Sequence, residues 1–205
     1  MSVPLALVDL IPVILFAASA VILQKDLHGK MSPVCFGLLA GGSIMIIFAG
    51  LYKVIWKLLY CMGVCDFRKL SDCMFPIQAP GFVLMAIALV IMLASGKKRK
   101  NTLAAVSAAP ALYTGTMIFV VMNCLGLAVV CTALSIIAVK LKKKKLIILF
   151  VLCFIVMLAM GYLSSKDFEQ AIMNWIAEFV NFIGQALLLT GVCSLHKAGL
   201  KDLEL

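Results

Sequence analysis

KKRKNTLAAVSAAPALYTGTMIFVVMNCLGLAVVCTALSIIAVKLKKKK, residues 97–145, is the stretch that decides the fold. Two runs of basic residues, 97–100 and 142–145, enclose an apolar segment that carries no charge before Lys140. As one helix, the 39 residues 102–140 would be about 58 Å long. The hydrocarbon core of a bilayer is about 30 Å thick, so a single crossing fits this segment poorly.

The two basic runs indicate how the segment is divided. Basic residues in short loops collect on the cytoplasmic side of a membrane, so both runs are expected there. An even number of crossings must then separate them. We predict a helical hairpin with a first helix over residues 102–119, a tip over residues 122–126 and a second helix over residues 127–140.

The rest of the chain adds five apolar stretches, residues 4–23, 33–59, 80–95, 146–164 and 170–195. With the hairpin, they predict an all-α bundle of seven transmembrane helices, with the N-terminus outside and the C-terminus in the cytoplasm. Thirteen of the eighteen basic residues then lie on the inner side. A bundle of six helices is the alternative, but it leaves one basic run on the outer face.

Composition excludes a water-soluble protein. Of the 205 residues, 64% are hydrophobic and 13% are charged, which leaves too little polar surface to cover a soluble domain. We predict one transmembrane helical domain, residues 1–205, in a lipid bilayer, most simply the plasma membrane. The net charge of +9 is then a matter of membrane topology, and no nucleic-acid partner is expected. No basic residue precedes the first apolar stretch, so it is expected to remain in the mature chain.

A polar stripe on the last helix is the first candidate site. Asn174, Glu178, Asn181 and Gln185 are spaced by four, three and four residues, which places them on one face of a helix. A charge within a membrane is costly and normally faces protein or a wet cavity. The stripe is therefore a candidate site for a small polar solute or a cation. The alternative is that its side chains form hydrogen bonds that hold neighbouring helices together.

Three more charged residues could converge on this stripe. Asp9 lies near the start of the first helix, and Lys53 and Lys57 lie one turn apart near the outer end of the second. Together with Glu178 they would line a vestibule open to the outside. The competing interpretation is that the two lysines extend to the headgroups and that Asp9 merely flanks its helix.

The cysteines and histidines give weaker indications. Four of the eight cysteines fall on the predicted outer side, where they could be free, form disulfides or bind a metal ion; they are Cys61, Cys65, Cys73 and Cys124. Their spacing matches no zinc motif, so a disulfide is the candidate role and no metal site is predicted. With two histidines and no recognisable catalytic motif, the sequence predicts no cofactor and no catalytic residue.

Three classes of function remain open. The favoured one is a small permease or channel-like protein with its solute or ion site on the last helix. The second is a membrane sensor or accessory subunit that acts through a membrane protein partner or a second copy of itself. The third is a metal-independent intramembrane enzyme that uses Glu178 as an acid or base; we consider an enzyme less favoured than the other two classes.

Overall fold

The computed structural model describes residues 3–67, 69–95, 116–163 and 171–203. Within these ranges every regular element is a helix, which confirms the predicted helical class. The elements are α1 (Val3–Val8), α2 (Leu10–Leu27), α3 (Pro33–Cys61), α4 (Lys69–Asp72), α5 (Met74–Ser95), α6 (Thr116–Lys140), α7 (Leu146–Leu163), α8 (Ala171–Lys197) and a final 3-10 turn (Leu200–Asp202).

The lengths and surfaces of these helices are those of an integral membrane protein. Large apolar side chains such as Ile14, Ile148 and Phe179 point outward and are more than half exposed, as expected for a surface in contact with lipid. The helix α7 contributes a shorter apolar segment, Leu146–Met160. The five segments long and apolar enough to span a bilayer are Val3–Leu27, Pro33–Cys61, Lys69–Ala94, Met117–Lys140 and Ile172–Lys197.

Helices α5 and α6 run in the same direction. A Cβ atom added to Gly126 of α6 would lie 2.9 Å from the Cβ atom of Phe82 of α5, and the N-terminal thirds of both helices line one cavity. Positions along the two helices therefore increase together. Because α5 and α6 are parallel, Ser95 and Thr116, the described residues that end one and begin the other, lie at opposite ends of the bundle.

The bundle has two chemically different ends. We call the end that contains the start of α1, residues 62–67 and the start of α8 the cavity end. The opposite end, with residues 28–32, 141–145 and 198–203, is the basic end. Helices α2 and α8 are parallel, because Asp9 and Glu178 meet at the cavity end while Asp26 and His196 pair at the basic end. The described N- and C-terminal residues therefore lie at opposite ends of the bundle.

Two features of the predicted helices are wrong. The hairpin tip predicted at residues 122–126 lies inside α6, which is continuous from Thr116 to Lys140; its 25 residues form a helix of about 38 Å, which needs no turn to fit a bilayer. Most of the predicted first hairpin helix, residues 102–115, lies outside the described residues. Helix α5 begins at Met74, six residues before the predicted start. Pro76 lies in the first turn, where proline is tolerated, and the helix continues through Pro80 in its interior.

Local sequence explains where the first helices begin and end. Proline has no backbone N–H, so Pro12 cannot donate to the carbonyl oxygen of Val8, and the helix is interrupted at Asp9 between α1 and α2. Ser32 caps α3 by accepting a hydrogen bond from the backbone N–H of Cys35 at 3.3 Å, and Pro33 takes the first helical position. The interruption places Asp9 at the point where α1 and α2 face α3.

Close packing fills the half of the bundle nearer the basic end. Helices α3 and α5 approach at two glycines, since a Cβ atom on Gly42 would lie 2.5 Å from the carbonyl oxygen of Gly81. The Phe16 and Phe82 rings meet edge to face with centroids 6.0 Å apart. The core below them contains fully enclosed side chains from several helices: Leu27, Leu39, Leu89, Leu134, Ile137 and Leu195.

Two polar contacts fasten the basic end. His196 Nδ1 of α8 lies 2.8 Å from the buried Asp26 Oδ2 of α2. Lys30 Nζ donates a hydrogen bond to the carbonyl oxygen of Leu203.

The turn between α6 and α7 carries the second basic run, and Lys142 adopts a positive φ of 58° there. The described lysines at this end are Lys25, Lys30, Lys140, Lys142, Lys143, Lys144, Lys145, Lys197 and Lys201.

Candidate functional site

Four charged side chains meet inside the cavity end. Lys57 Nζ of α3 forms an ion pair with Asp9 Oδ2 and lies 3.1 Å from Glu178 Oε1 of α8. Lys53 Nζ, one turn earlier on α3, lies 2.8 Å from the same glutamate oxygen. We call Asp9, Lys53, Lys57 and Glu178 the charge cluster. It joins the α1–α2 junction, α3 and α8, three parts of the chain that are distant in sequence.

Burial makes this cluster energetically demanding. The side chains of Asp9, Lys57 and Glu178 are 2–3% exposed and that of Lys53 is 21% exposed. Removing one partner of a buried ion pair is strongly unfavourable, because the remaining charge is left unpaired away from water. With two carboxylates and two ammonium groups, the cluster is formally neutral when all four are ionised. Lys57 is thus a buried ion-pair partner and does not extend to the headgroups.

A partly open cavity of about 90 Å³ lies beside the charge cluster. Its wall contains all the cluster residues except Lys57, whose ammonium group is enclosed behind it. Thioether groups of Met157 and Met160 complete one side. The neutral polar residues of the wall come from α5, α6 and α8: Gln78, Asn123, Asn181 and Gln185.

Several buried acceptors around this cavity have no donor. Asp9 Oδ1, Glu178 Oε2, Asn123 Oδ1 and Gln185 Oε1 receive no hydrogen bond from an amide, hydroxyl or ammonium donor of the described residues. The Asp9 and Glu178 carboxyl groups lie within hydrogen-bonding distance of each other. Gln185 directs its amide nitrogen toward Met157 Sδ at 4.0 Å, which is a weak contact. An enclosed acceptor without a donor is costly. The site therefore has more acceptors than its own side chains satisfy.

Apolar side chains close the cavity toward the basic end. Phe16 and Ile46 belong to its wall, and Phe82 packs edge to face on Phe16. Beyond this layer lie the fully enclosed leucines of the core. Gln185, about 21 Å from the first residue of α8, is the deepest of the α8 side chains in the cavity wall. The described residues thus form a vestibule at one end and a closely packed, largely apolar layer beyond it.

The structure brings together most of the residues that the sequence singled out. Glu178, Asn181 and Gln185 line the cavity with Asp9 and Lys53, and the buried Lys57 binds both carboxylates. Asn174, the fourth residue of the predicted stripe, is buried one turn nearer the cavity end and is outside the cavity wall.

Gln78 and Asn123 were not predicted as site residues. Both were assigned to loops or turns, whereas they lie on α5 and α6 and face the cavity. The signal that could have identified Asn123 is the length of the apolar segment from Thr116 to Lys140, which suffices for one crossing without a tip. An isolated amide within such a segment is expected to face protein.

The four outward cysteines do not form a cluster with one role. Cys61, Cys65 and Cys73 lie at the cavity end, and Cys124 lies within α6 on the cavity wall. All eight cysteines belong to the described residues, and each is a free thiol. Within the described ranges, no group of three or more histidine, cysteine or acidic residues is arranged to hold a metal ion.

Comparisons with known proteins returned no match from family models, from curated proteins or from solved structures.

Proposed function

We propose that the protein is a small permease that binds a polar solute at the charge cluster. One observation carries this proposal: a neutral set of four charges, three of them almost fully buried, borders a cavity in an otherwise apolar bundle. Intramembrane charges that face a cavity are typical of substrate and ion pathways. The apolar closure beyond Phe16 favours a carrier, in which the site opens to one side at a time, over an open channel.

The proposed topology has seven crossings, with the cavity end outside and the basic end in the cytoplasm of the plasma membrane. Support for an odd number comes from the opposite placement of Val3 and Leu203 and from the parallel arrangement of α5 and α6. Nine of the twelve described lysines belong to the basic end, as the positive-inside rule requires of a cytoplasmic face.

Cysteine labelling of intact cells tests this orientation. The native Cys65 and Cys73 are exposed at the cavity end, so a membrane-impermeant maleimide should modify them without permeabilisation. In a Lys143→Cys variant, the new thiol at the exposed basic end should react only after the membrane is opened. Peptide mass spectrometry distinguishes the sites. The reverse pattern would show that the orientation is inverted, and labelling of neither site in intact cells would contradict a plasma-membrane location.

Solute binding is tested by a thermal-shift screen of the purified protein, with wild type and Glu178→Gln compared. The panel contains monovalent and divalent cations, amino acids, sugars and nucleosides. A solute at about 100 times its Kd should stabilise the wild type by about 2.7 kcal/mol, and the variant should not respond. Liposomes that contain the wild type should then take up that solute faster than liposomes that contain the variant.

Thr190→Val is the matched control for this screen. Thr190 lies on α8, is exposed, and bonds only within its own helix through a hydroxyl donated to Ala186 at 2.7 Å. The Thr190→Val variant should respond to the solute as the wild type does. If wild type and Glu178→Gln respond alike to every member of the panel, the permease proposal is wrong.

An accessory subunit is the second candidate, because part of α3 offers an unfilled small-residue face. A Cβ atom added to Gly37 or Gly41 would meet no atom within 4 Å. Small residues allow close approach between membrane helices, so a partner helix could pack there. Under this function, Glu178→Gln lowers stability but retains co-purification of the partner, whereas Gly41→Leu abolishes it.

A further inference from the structure

The charge cluster limits the net charge of its solute. When all four groups are ionised, its two carboxylates and two ammonium groups compensate one another. A lone cation or a lone anion entering the cavity would leave one net charge in a setting shielded from water, which is unfavourable. A neutral or zwitterionic solute leaves the balance unchanged.

The unsatisfied acceptors limit its hydrogen-bonding groups. The acceptors without a donor among the described residues belong to Asp9, Asn123, Glu178 and Gln185. All four residues line the cavity, and their enclosed oxygens must turn toward a bound solute. Each is an oxygen, so the complementary group carries N–H or O–H donors. An ammonium group supplies three donors and a positive charge, and charge-assisted hydrogen bonds to carboxylates are the stronger kind.

Lys53 supplies the complementary positive charge. Its ammonium group has one ion-pair partner among the described residues, Glu178 Oε1 at 2.8 Å, and retains further donors. Its side chain is 21% exposed, whereas that of Lys57 is 3% exposed. A carboxylate that enters from the open side of the cavity therefore meets Lys53 first.

Cavity size limits the solute to a few atoms. A buried water needs about 10–15 Å³, and the cavity measures about 90 Å³. It therefore has room for roughly six or more water-sized groups. A small aliphatic amino acid fits this space.

We infer that the solute is a small zwitterion with a protonated amine, bound through its ammonium group by Asp9, Glu178 and Gln185 and through its carboxylate by Lys53. This inference rests on the permease proposal, because it names the solute class of the same site. It distinguishes a free amine from a methylated one, since a trimethylammonium group has charge but no N–H donor.

Isothermal titration of the wild-type protein in lipid nanodiscs tests the inference with five probes. Glycine and alanine should bind saturably. Trimethylglycine retains both charges and lacks N–H donors, while ethylammonium and propionate each retain one charge. These three should bind at least about tenfold more weakly than glycine, the loss expected for removing charged hydrogen bonds.

Gln185→Met is the matched variant, because methionine preserves the shape of the buried side chain and removes its acceptor oxygen. It should weaken glycine binding about tenfold and leave the melting temperature of the unliganded protein near that of the wild type. Thr190→Val should bind glycine as the wild type does. An unchanged glycine affinity in Gln185→Met would overturn the assignment of this residue to the ammonium group.

The remaining outcomes separate this inference from the proposal on which it rests. Equal binding of glycine and trimethylglycine, or of glycine and ethylammonium, would overturn the inference and leave a Glu178-dependent solute site. Binding of a different solute class that is abolished by Glu178→Gln would also overturn the inference and leave the permease proposal standing. If no member of either panel binds, both the inference and the permease proposal are wrong.

Discussion

Replacing Lys57 with methionine should lower the free energy of unfolding by about 3–5 kcal/mol. Among the described residues, Lys57 Nζ is the one cation that pairs with both carboxylates, Asp9 Oδ2 and Glu178 Oε1, and its side chain is 3% exposed. Methionine fills similar space but leaves Asp9 buried beside Glu178 without its ion-pair partner. Reversible denaturation of the purified protein in mixed detergent micelles, followed by circular dichroism, measures the loss.

Lys53→Met is the matched control, because the two lysines lie one turn apart on α3. Lys53 is partly exposed and pairs with one carboxylate. Lys53→Met should therefore lower the free energy of unfolding clearly less than Lys57→Met does. The double variant Asp9→Asn/Lys57→Met removes one charge of each sign and should recover part of the stability. Equal effects of the two single variants, or no recovery in the double variant, would contradict the described charge cluster.

Gly42→Ala should destabilise the bundle by about 1–3 kcal/mol, the cost of inserting a methyl group into a tightly packed interface. The added Cβ would lie 2.5 Å from the carbonyl oxygen of Gly81 and 3.1 Å from the backbone nitrogen of Met85. Both atoms belong to the backbone of α5, so no side-chain rotation relieves the contact. Helices α3 and α5 must separate, and the same denaturation assay reports the change.

Gly41→Ala provides a control that differs by one position on the same helix. Its added Cβ would meet no atom within 4 Å, and alanine favours a helix over glycine by up to about 1 kcal/mol. We expect unchanged or slightly increased stability. A similar loss in both variants would mean that helix α3 is not oriented with Gly42 toward α5.

Much of the candidate site follows from the sequence. The spacing of Glu178, Asn181 and Gln185 places them on one helical face, and the cost of charge in a membrane explains why Asp9 and Lys57 meet Glu178 instead of facing lipid. Helical periodicity and electrostatics are local or pairwise properties, so sequence alone reveals them. Which helix lies against which depends on packing between distant segments. The cavity residues that were not predicted come from helices whose neighbours the sequence does not reveal.

The segment before Lys140 illustrates this limit. Hydropathy identified a long apolar stretch and the basic runs indicated its ends, but neither determines where a turn occurs within it. The predicted tip included Asn123 because two basic runs on one side of the membrane required an even number of crossings between them. In the structure Asn123 is directed to the cavity, and Gly126 lets α6 approach Phe82 closely. Both residues therefore have packing roles that become visible only beside α5.

The sequence separation within the charge cluster has a consequence for biosynthesis. Lys57 and Glu178 are 121 residues apart, a distance that a ribosome translating about 5–20 residues per second covers in roughly 6–24 s. During that interval the nascent chain has inserted Asp9, Lys53 and Lys57, which leaves one positive charge in excess. The early helices must therefore remain in the membrane with one lysine that lacks a carboxylate partner. Insertion of α8 supplies Glu178, which neutralises this charge and completes the bundle.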